Sequence, residues 1–300
     1  MNCWPQWLDN AGIMAKSADQ SHGVAQQTLS EHTYQVLERL ADQVRLRPAL
    51  PALLGDPYLW DRLYWGCLLH DFGKAAAGFQ ERLKPSAPDN EWKQHKHRHE
   101  ALSLGFVDWL FPSGHPDRAH VIAVIIAHHK DGQRILEQYG AYRDFRDLEP
   151  EEKQECRALL AYLDAQISLE IRQHLWRWVS ECGTAWASQL GIPLTRLPDL
   201  LAWDAAAQTP LAKSLHKAMR EFQQWRSDLP RDAQTHIHVY RGLILTSDHA
   251  ASAGAGAFPD FRLSARAALR PLARRRQRTM THQRDAANTL EGSALLVAPT

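Results

Sequence analysis

His70 and Asp71 stand side by side in Leu68-Leu69-His70-Asp71-Phe72-Gly73-Lys74, and both side chains can bind a metal. Consecutive helical residues point about 100° apart, so two such neighbours cannot both turn into a helical core. The pair suits a helix end that opens on a cavity, with Gly73 as the stop and Lys74 as a cation just outside. The chain also carries His32, His99, His128-His129 and Asp248, each on or at the end of a predicted helix. Imidazole and carboxylate suit Fe, Mn, Ni, Co or Zn, and a carboxylate between two ions can bridge them. Two metals about 3.5–4 Å apart can activate a water and stabilise the leaving oxygen in phosphodiester cleavage. Asp71, adjacent to one histidine and flanked by the rest, is the natural bridge. The chain has no His-Glu-x-x-His and no cysteine-rich motif, which argues against a zincin or a structural zinc.

Taken singly, each position has a plain structural reading. His32 could be a satisfied core residue, His128-His129 could cap a helix C-terminus, and Asp248 could be an ordinary acid beside a turn. It is the set, in order and with helices leading to each member, that points to a metal site.

The elements that must position these residues are helical almost throughout. Thr28-Leu29-Ser30-Glu31 fits a capping box, and Leu29, Val36, Leu40 and Val44 then mark one face. A second helix is predicted over about Leu59 to Asp71 and a third from about His99 to Phe111, where Pro112 ends it. A fourth, Ala119 to His129, is apolar nearly all round and belongs at the centre of the bundle. Outer helices are expected over Glu151–Ile171, His174–Leu190 and Ala212–Leu229. A last strong one, Ile237–Ala251, carries Asp248 near its end. Irregular segments fall at Lys84–Lys96, Gly132–Pro150 and Gly191–Gln208. The expected fold is all-α, a single domain over residues 1–261 followed by an extension over 262–300.

Hydrophobic residues make up 44% of the 300, enough for a core, and no apolar run is long enough for a membrane span. The N-terminus does not resemble a secretory signal. Cys3, Cys67, Cys156 and Cys182 are far apart in sequence, so they are expected to be reduced thiols of a cytoplasmic protein. The net charge of +1 conceals an asymmetry: eight arginines, including Arg274, Arg275 and Arg276, lie between Arg262 and Arg284 without an acid. Setting aside these eight, with Asp285 and Glu291, leaves residues 1–261 at a net −5 out of 35 bases and 34 acids. The basic segment can neutralise several phosphates or serve as a solvated linker.

Leu295-Leu296-Val297-Ala298-Pro299-Thr300 reads as a buried strand and a loop start, of the kind that leads into a phosphate-binding loop. His282-Gln283 and Gly292-Ser293 precede it at spacings resembling the adenine-side glutamine motif of superfamily 2 helicases. None of the phosphate-binding glycines or lysine is in the chain, so ATP binding is not expected of it.

The order His32, His70-Asp71, His99, His128-His129, Asp248 resembles the HD-superfamily nuclease domain of the type I CRISPR-associated nuclease–helicase. The resemblance covers about Lys16 to Phe261, with the linker and first helicase strand behind. Phe79-Gln80, Arg98-His99-Glu100, Ala127-His128-His129 and Asp248-His249-Ala250-Ala251-Ser252 belong to it. It implies an HD helical bundle with a metal site at its centre. One divalent transition ion (Fe, Mn, Ni or Co) would lie on His32, His70, Asp71 and Asp248, and a second on Asp71, His99, His128 and His129. Lys74 would face the scissile phosphate. The resemblance further implies a single-stranded DNA substrate, the strand displaced by a crRNA-guided surveillance complex, with a helicase domain reeling it in.

Lys93, Lys96 and Arg98, like the arginine segment, are candidate DNA contacts. His95 and His97 are read as part of a DNA-facing or solvated loop, His249 as pointing away from the metal, and Trp92 as a base-stacking candidate. Trp176, Trp178 and Trp186 are read as packing. Two other functions remain open at this level: an HD phosphohydrolase acting on nucleotides or cyclic nucleotides, and a module that mainly docks on the surveillance complex.

Overall fold

The computed structural model describes residues 3–17, 26–84, 90–128, 139, 149–230 and 235–258. Met1–Gly256 form one compact unit; of the second, Ala257–Thr300, only Ala257 and Phe258 are among the described residues. The arginine segment, the helicase-like strand and His129 lie outside the described residues.

Helices dominate. A short α1 (Gln6–Asn10) precedes an antiparallel pair, β1 (Met14–Lys16) and β2 (Gln27–Thr28), which the helical sequence pattern did not foretell. α2 (Leu29–Leu46) starts where expected: Thr28 accepts from the Glu31 N–H while the Glu31 carboxylate accepts from the Thr28 N–H. α3 (Leu50–Leu54) and α4 (Leu59–Leu69) follow, then a 3₁₀ turn (Phe72–Ala75), α5 (Ala77–Arg82) and α6 (Glu91–Gln94). The third expected helix is broken into α7 (His99–Ser103), a 3₁₀ turn (Leu104–Phe106) and α8 (Val107–Leu110). After α9 (Arg118–His128) come α10 (Pro150–Ala165), α11 (Leu169–Leu190), α12 (Trp203–Gln208), α13 (Leu211–Asp228) and α14 (Thr235–Ser252). The outer pair divides at Ser168, whose hydroxyl caps α11 by accepting from the Ile171 N–H; the expected division near His174 is therefore displaced.

α9 is the centre, with Val121 to Ala127 buried and α4, α7, α13 and α14 packed around it. Its contact with α4 is close at Gly66, where an added Cβ would meet Val124 Cγ1 at 2.4 Å. α2 is fastened to α14 by Gln43, whose buried amide donates to the Leu243 carbonyl at 2.8 Å and to Ser247 Oγ at 2.7 Å.

Two expectations fail here. Cys3 and Cys182 are joined in a disulfide with Cα atoms 5.4 Å apart, although 179 residues separate them. α1 docks on α11, and Trp186 Nε1 donates to the Cys3 carbonyl at 2.7 Å, so distance along the chain was no guide to distance in space. Cys67 and Cys156 are free thiols. Nor does Gly73 stop a helix. α4 already ends at Leu69, and Gly73 sits inside the following 3₁₀ turn without a positive φ. A glycine stands there because of what it touches, as the site makes plain.

Candidate metal centre

Helix ends bring the candidates together. His32 comes from the second turn of α2, His70 and Asp71 follow α4, and Lys74 lies in the 3₁₀ turn. His99 opens α7, His128 closes α9, and Asp248 sits one turn before the end of α14. Helix termini suit this task because consecutive residues there can be aimed at one point while the helices stay packed.

The Asp71 carboxylate is fully buried and approached from two sides. Its Oδ2 lies 3.3 Å from His32 Nε2, 3.2 Å from His70 Nε2 and 2.7 Å from Lys74 Nζ. Its Oδ1 lies 3.1 Å from His99 Nε2. Asp248 Oδ1 is 3.0 Å from His32 Nε2, and Asp248 Oδ2 is 3.1 Å from His128 Nε2. His32, His70 and Asp248 each offer a ligand atom, all within 4.8 Å of one another. His128 thus stands beside Asp248, its ring edge-on to His70 with centroids 4.7 Å apart. Its other ring nitrogen, Nδ1, is buried without a hydrogen-bond partner.

Neighbouring backbone and side-chain groups orient these donors. His70 Nδ1 lies 2.6 Å from the Cys67 carbonyl. A carbonyl only accepts, so Nδ1 carries the proton and Nε2 presents its lone pair to Asp71 and the centre. Glu100 Oε2 stands 3.5 Å from His99 Nδ1. Gly73 donates from its N–H to Ser103 Oγ at 2.8 Å, and Ser103 Oγ donates to the His70 carbonyl at 2.7 Å. A Cβ on Gly73 would fall 1.9 Å from the His99 carbonyl oxygen. The missing side chain lets the His70-Asp71 turn approach the first turn of α7, and that approach sets His99 against Asp71.

Burial by itself would push the Asp71 carboxyl up; the Lys74 ammonium and the contacts with His70 and His32 outweigh it and hold it well below the ordinary value. For Asp248, burial is likewise overcome, first by the hydrogen bonds with His128 and His32 and then by the electrostatic attraction of the imidazoles around it. Both are carboxylates at neutral pH. Among the buried polar atoms without a hydrogen bond of ordinary geometry are His70 Nε2, His99 Nε2 and both oxygens of Asp71. Such atoms are costly to bury unpaired. Imidazole and carboxylate atoms left so at one point fit a divalent transition ion.

Around this centre some expectations are corrected. Trp92 is wholly buried and closed to a stacking base. His97 is no solvated loop residue: it is buried, stacked on Tyr162 with centroids 4.9 Å apart and beside Tyr139, and burial pulls its pKa down to about 4. Lys93 and Lys96 are exposed, and Arg98 is half-buried. His249 is exposed, on the far side of its helix from the donors. Trp178 and Trp186 are core residues. Glu100, Ser103 and Lys16 were not singled out as site residues. Lys16, on β1, is half-buried, and burial lowers its ammonium pKa while Asp248 raises it and Lys74 lowers it further.

A helical bundle with paired histidines and aspartates converging on one buried point is the architecture of the HD metal-dependent hydrolases. The sequence model of one family, Cas3, HD domain, matches residues 15–255. The chain belongs to that family and is a CRISPR-associated, metal-dependent nuclease domain. No curated protein matches it, and no solved structure does. No helix among the described residues is long and apolar enough to cross a membrane.

Proposed function

We propose that the chain is a single-stranded DNA nuclease that cuts phosphodiesters by a two-metal hydrolytic mechanism. The observation that carries the reading is the Asp71 carboxylate: Oδ2 faces His32, His70 and Lys74, and Oδ1 faces His99. That is the disposition a bridging carboxylate needs. His32, His70, Asp71 and Asp248 would hold one divalent ion; Asp71 and His99, with His128 and His129, would hold the other. The ion at each position would be Fe, Mn, Ni or Co, and such ions would supply acidity to a water and a Lewis acid for the leaving oxygen.

The protein's own groups prepare the reaction. His70 is locked in the tautomer that offers Nε2, and Asp71 stays ionised. Lys74 is held 2.7 Å from Asp71 Oδ2, where its ammonium meets the non-bridging oxygens of an incoming phosphate. Lys93, Lys96 and Arg98, on the segment leading into α7, and Arg274, Arg275 and Arg276 guide the strand electrostatically. The nuclease domain spans 1–261, and 262–300 is an arginine-rich linker with the beginning of a superfamily 2 helicase domain. In the cytoplasm the substrate is the strand displaced by a crRNA-guided surveillance complex during antiviral defence.

The test is cleavage of circular single-stranded DNA with each metal, wild type beside Asp71→Ala, with metal content measured on both. Endonucleolytic cutting that disappears in the variant, with about two ions per wild-type chain, is the expected result. Bound metal with hydrolysis of nucleotides alone would replace this reading with a nucleotide phosphohydrolase.

A further inference from the structure

Resting on that reading, we propose that Lys16 is a second phosphate-binding cation, holding the phosphate next to the scissile one while Lys74 serves the scissile phosphate itself. The two lysines are 58 residues apart in the chain, yet they are tied to one rim. Gln80 donates from its amide to the Met14 carbonyl on β1 at 2.8 Å and to the Lys74 carbonyl at 2.6 Å, and its oxygen accepts from the Met14 N–H at 3.0 Å. β1 is thereby stapled to the turn that carries Lys74, and it packs on that turn and on α2, the helix of His32.

The other end of Lys16 is also anchored. Its Nζ donates to the Ser252 carbonyl at 3.1 Å, at the last residue of α14. Ser252 lies four residues after Asp248, just over one turn or about 6 Å along the helix. The ammonium therefore grips α14 one turn after a residue proposed as a metal ligand. Electrostatically, it is coupled to Asp248, Lys74 and Asp71.

The two lysines differ in what faces them. Lys74 is paired with a carboxylate, whereas the carbonyl that Lys16 grips is neutral. Asp248 and Asp71 attract the Lys16 ammonium, but among the described residues it forms no ion pair, which leaves it able to meet an anion. A strand that places one phosphodiester at the centre must lodge the neighbouring phosphate close by, and a half-buried ammonium on the rim answers to it. The plain alternative is a clasp: a lysine capping a helix C-terminus, favourable with the helix dipole.

The experiment is binding of a fluorescein-labelled thymidine oligonucleotide to the metal-free full chain, followed by anisotropy between about 50 and 200 mM salt. Wild type is compared with Lys16→Gln, which keeps a donor for Ser252 but loses the charge, and with Lys16→Arg. Thermal midpoints and metal uptake are measured on all three. One lost phosphate contact lowers the slope of log K against log salt by about 0.7 for a single strand. That decrease is expected in Lys16→Gln, with the slope restored in Lys16→Arg, and metal uptake is expected to be unchanged in both. With metal supplied, KM for the strand rises about tenfold in Lys16→Gln while kcat falls less than about threefold. An unchanged slope, or a loss confined to thermal midpoint and metal uptake, makes Lys16 a structural clasp and overturns the proposal with the nuclease reading intact. A wild type that binds no oligonucleotide but hydrolyses nucleotides overturns both.

Discussion

Gly73→Ala is the sharpest probe of how this centre is assembled. The added Cβ would lie 1.9 Å from the His99 carbonyl oxygen, 2.8 Å from its carbon and 2.9 Å from the Ser103 nitrogen. All three are backbone atoms, so no side chain can swing aside. Reaching even 3.0 Å from that oxygen means that the 3₁₀ turn and α7 separate by more than about 1 Å. The pair His99 Nε2–Asp71 Oδ1, now 3.1 Å apart, opens to about 4 Å as the elements part. Overpacking of this kind costs about 1–3 kcal/mol, and a misplacement of about 1 Å in a catalytic array costs about a hundredfold in rate. The assay is single-turnover cleavage of labelled single-stranded DNA, with metal content and urea unfolding on the same preparation. Gly242→Ala is the matched control, because nothing lies within 4 Å of its Cβ position and it sits inside α14. That variant should be more stable by about 0.4–1 kcal/mol and unaltered in cleavage. Wild-type rate and metal stoichiometry in Gly73→Ala would refute the claim that this close approach positions His99.

Other outcomes follow from the same geometry. Asp71→Ala should abolish cleavage and reduce bound metal, whereas Lys74→Ala should lower the rate with metal retained; single-turnover kinetics beside metal analysis separates them. Ser103→Ala removes the hydroxyl that joins Gly73, His70 and His99 and should cost about 1–3 kcal/mol in urea unfolding. Reducing the Cys3–Cys182 bond, which closes a loop of 179 residues, should destabilise the fold by about 5 kcal/mol on the chain-entropy estimate, read as a fall in urea midpoint with reductant. Asp117 would be raised by burial, but hydrogen bonds from Arg62 and Arg196 hold it below its ordinary 3.8. A depressed carboxyl contributes stability above the unfolded value and loses it as pH falls through the folded one. Between pH 6 and pH 3 the urea midpoint of wild type should therefore drop more than that of Asp117→Asn.

Much of this was legible before any coordinates. The Thr28 capping box, the apolar α9, the start of α2 and the approximate span of α14 follow from local rules that act within a few residues. So does the candidate set: His70-Asp71, His99, His128 and Asp248 are chemically unusual residue types at or near helix ends, and their order along the chain resembles one family. The break within His99–Leu110 was not legible. Nor was the boundary at Ser168, because either phase of an apolar stripe satisfies a continuous helix until a cap decides.

Contacts between residues distant in sequence were decided only by the tertiary structure. The chain determined by itself which side chains could hold a metal and which helices would present them. It did not determine that His128 would face Asp248, that Cys3 would meet Cys182, or that Lys16 would be stapled beside Lys74. Gly73 marks the boundary between the two kinds of knowledge. Its lack of a side chain is plain in the sequence, but its use is a backbone approach of α7, which exists only once the bundle has packed. Local propensity acts over one or two turns, whereas a metal centre built from five helices and a turn is set by where packing lets their ends meet.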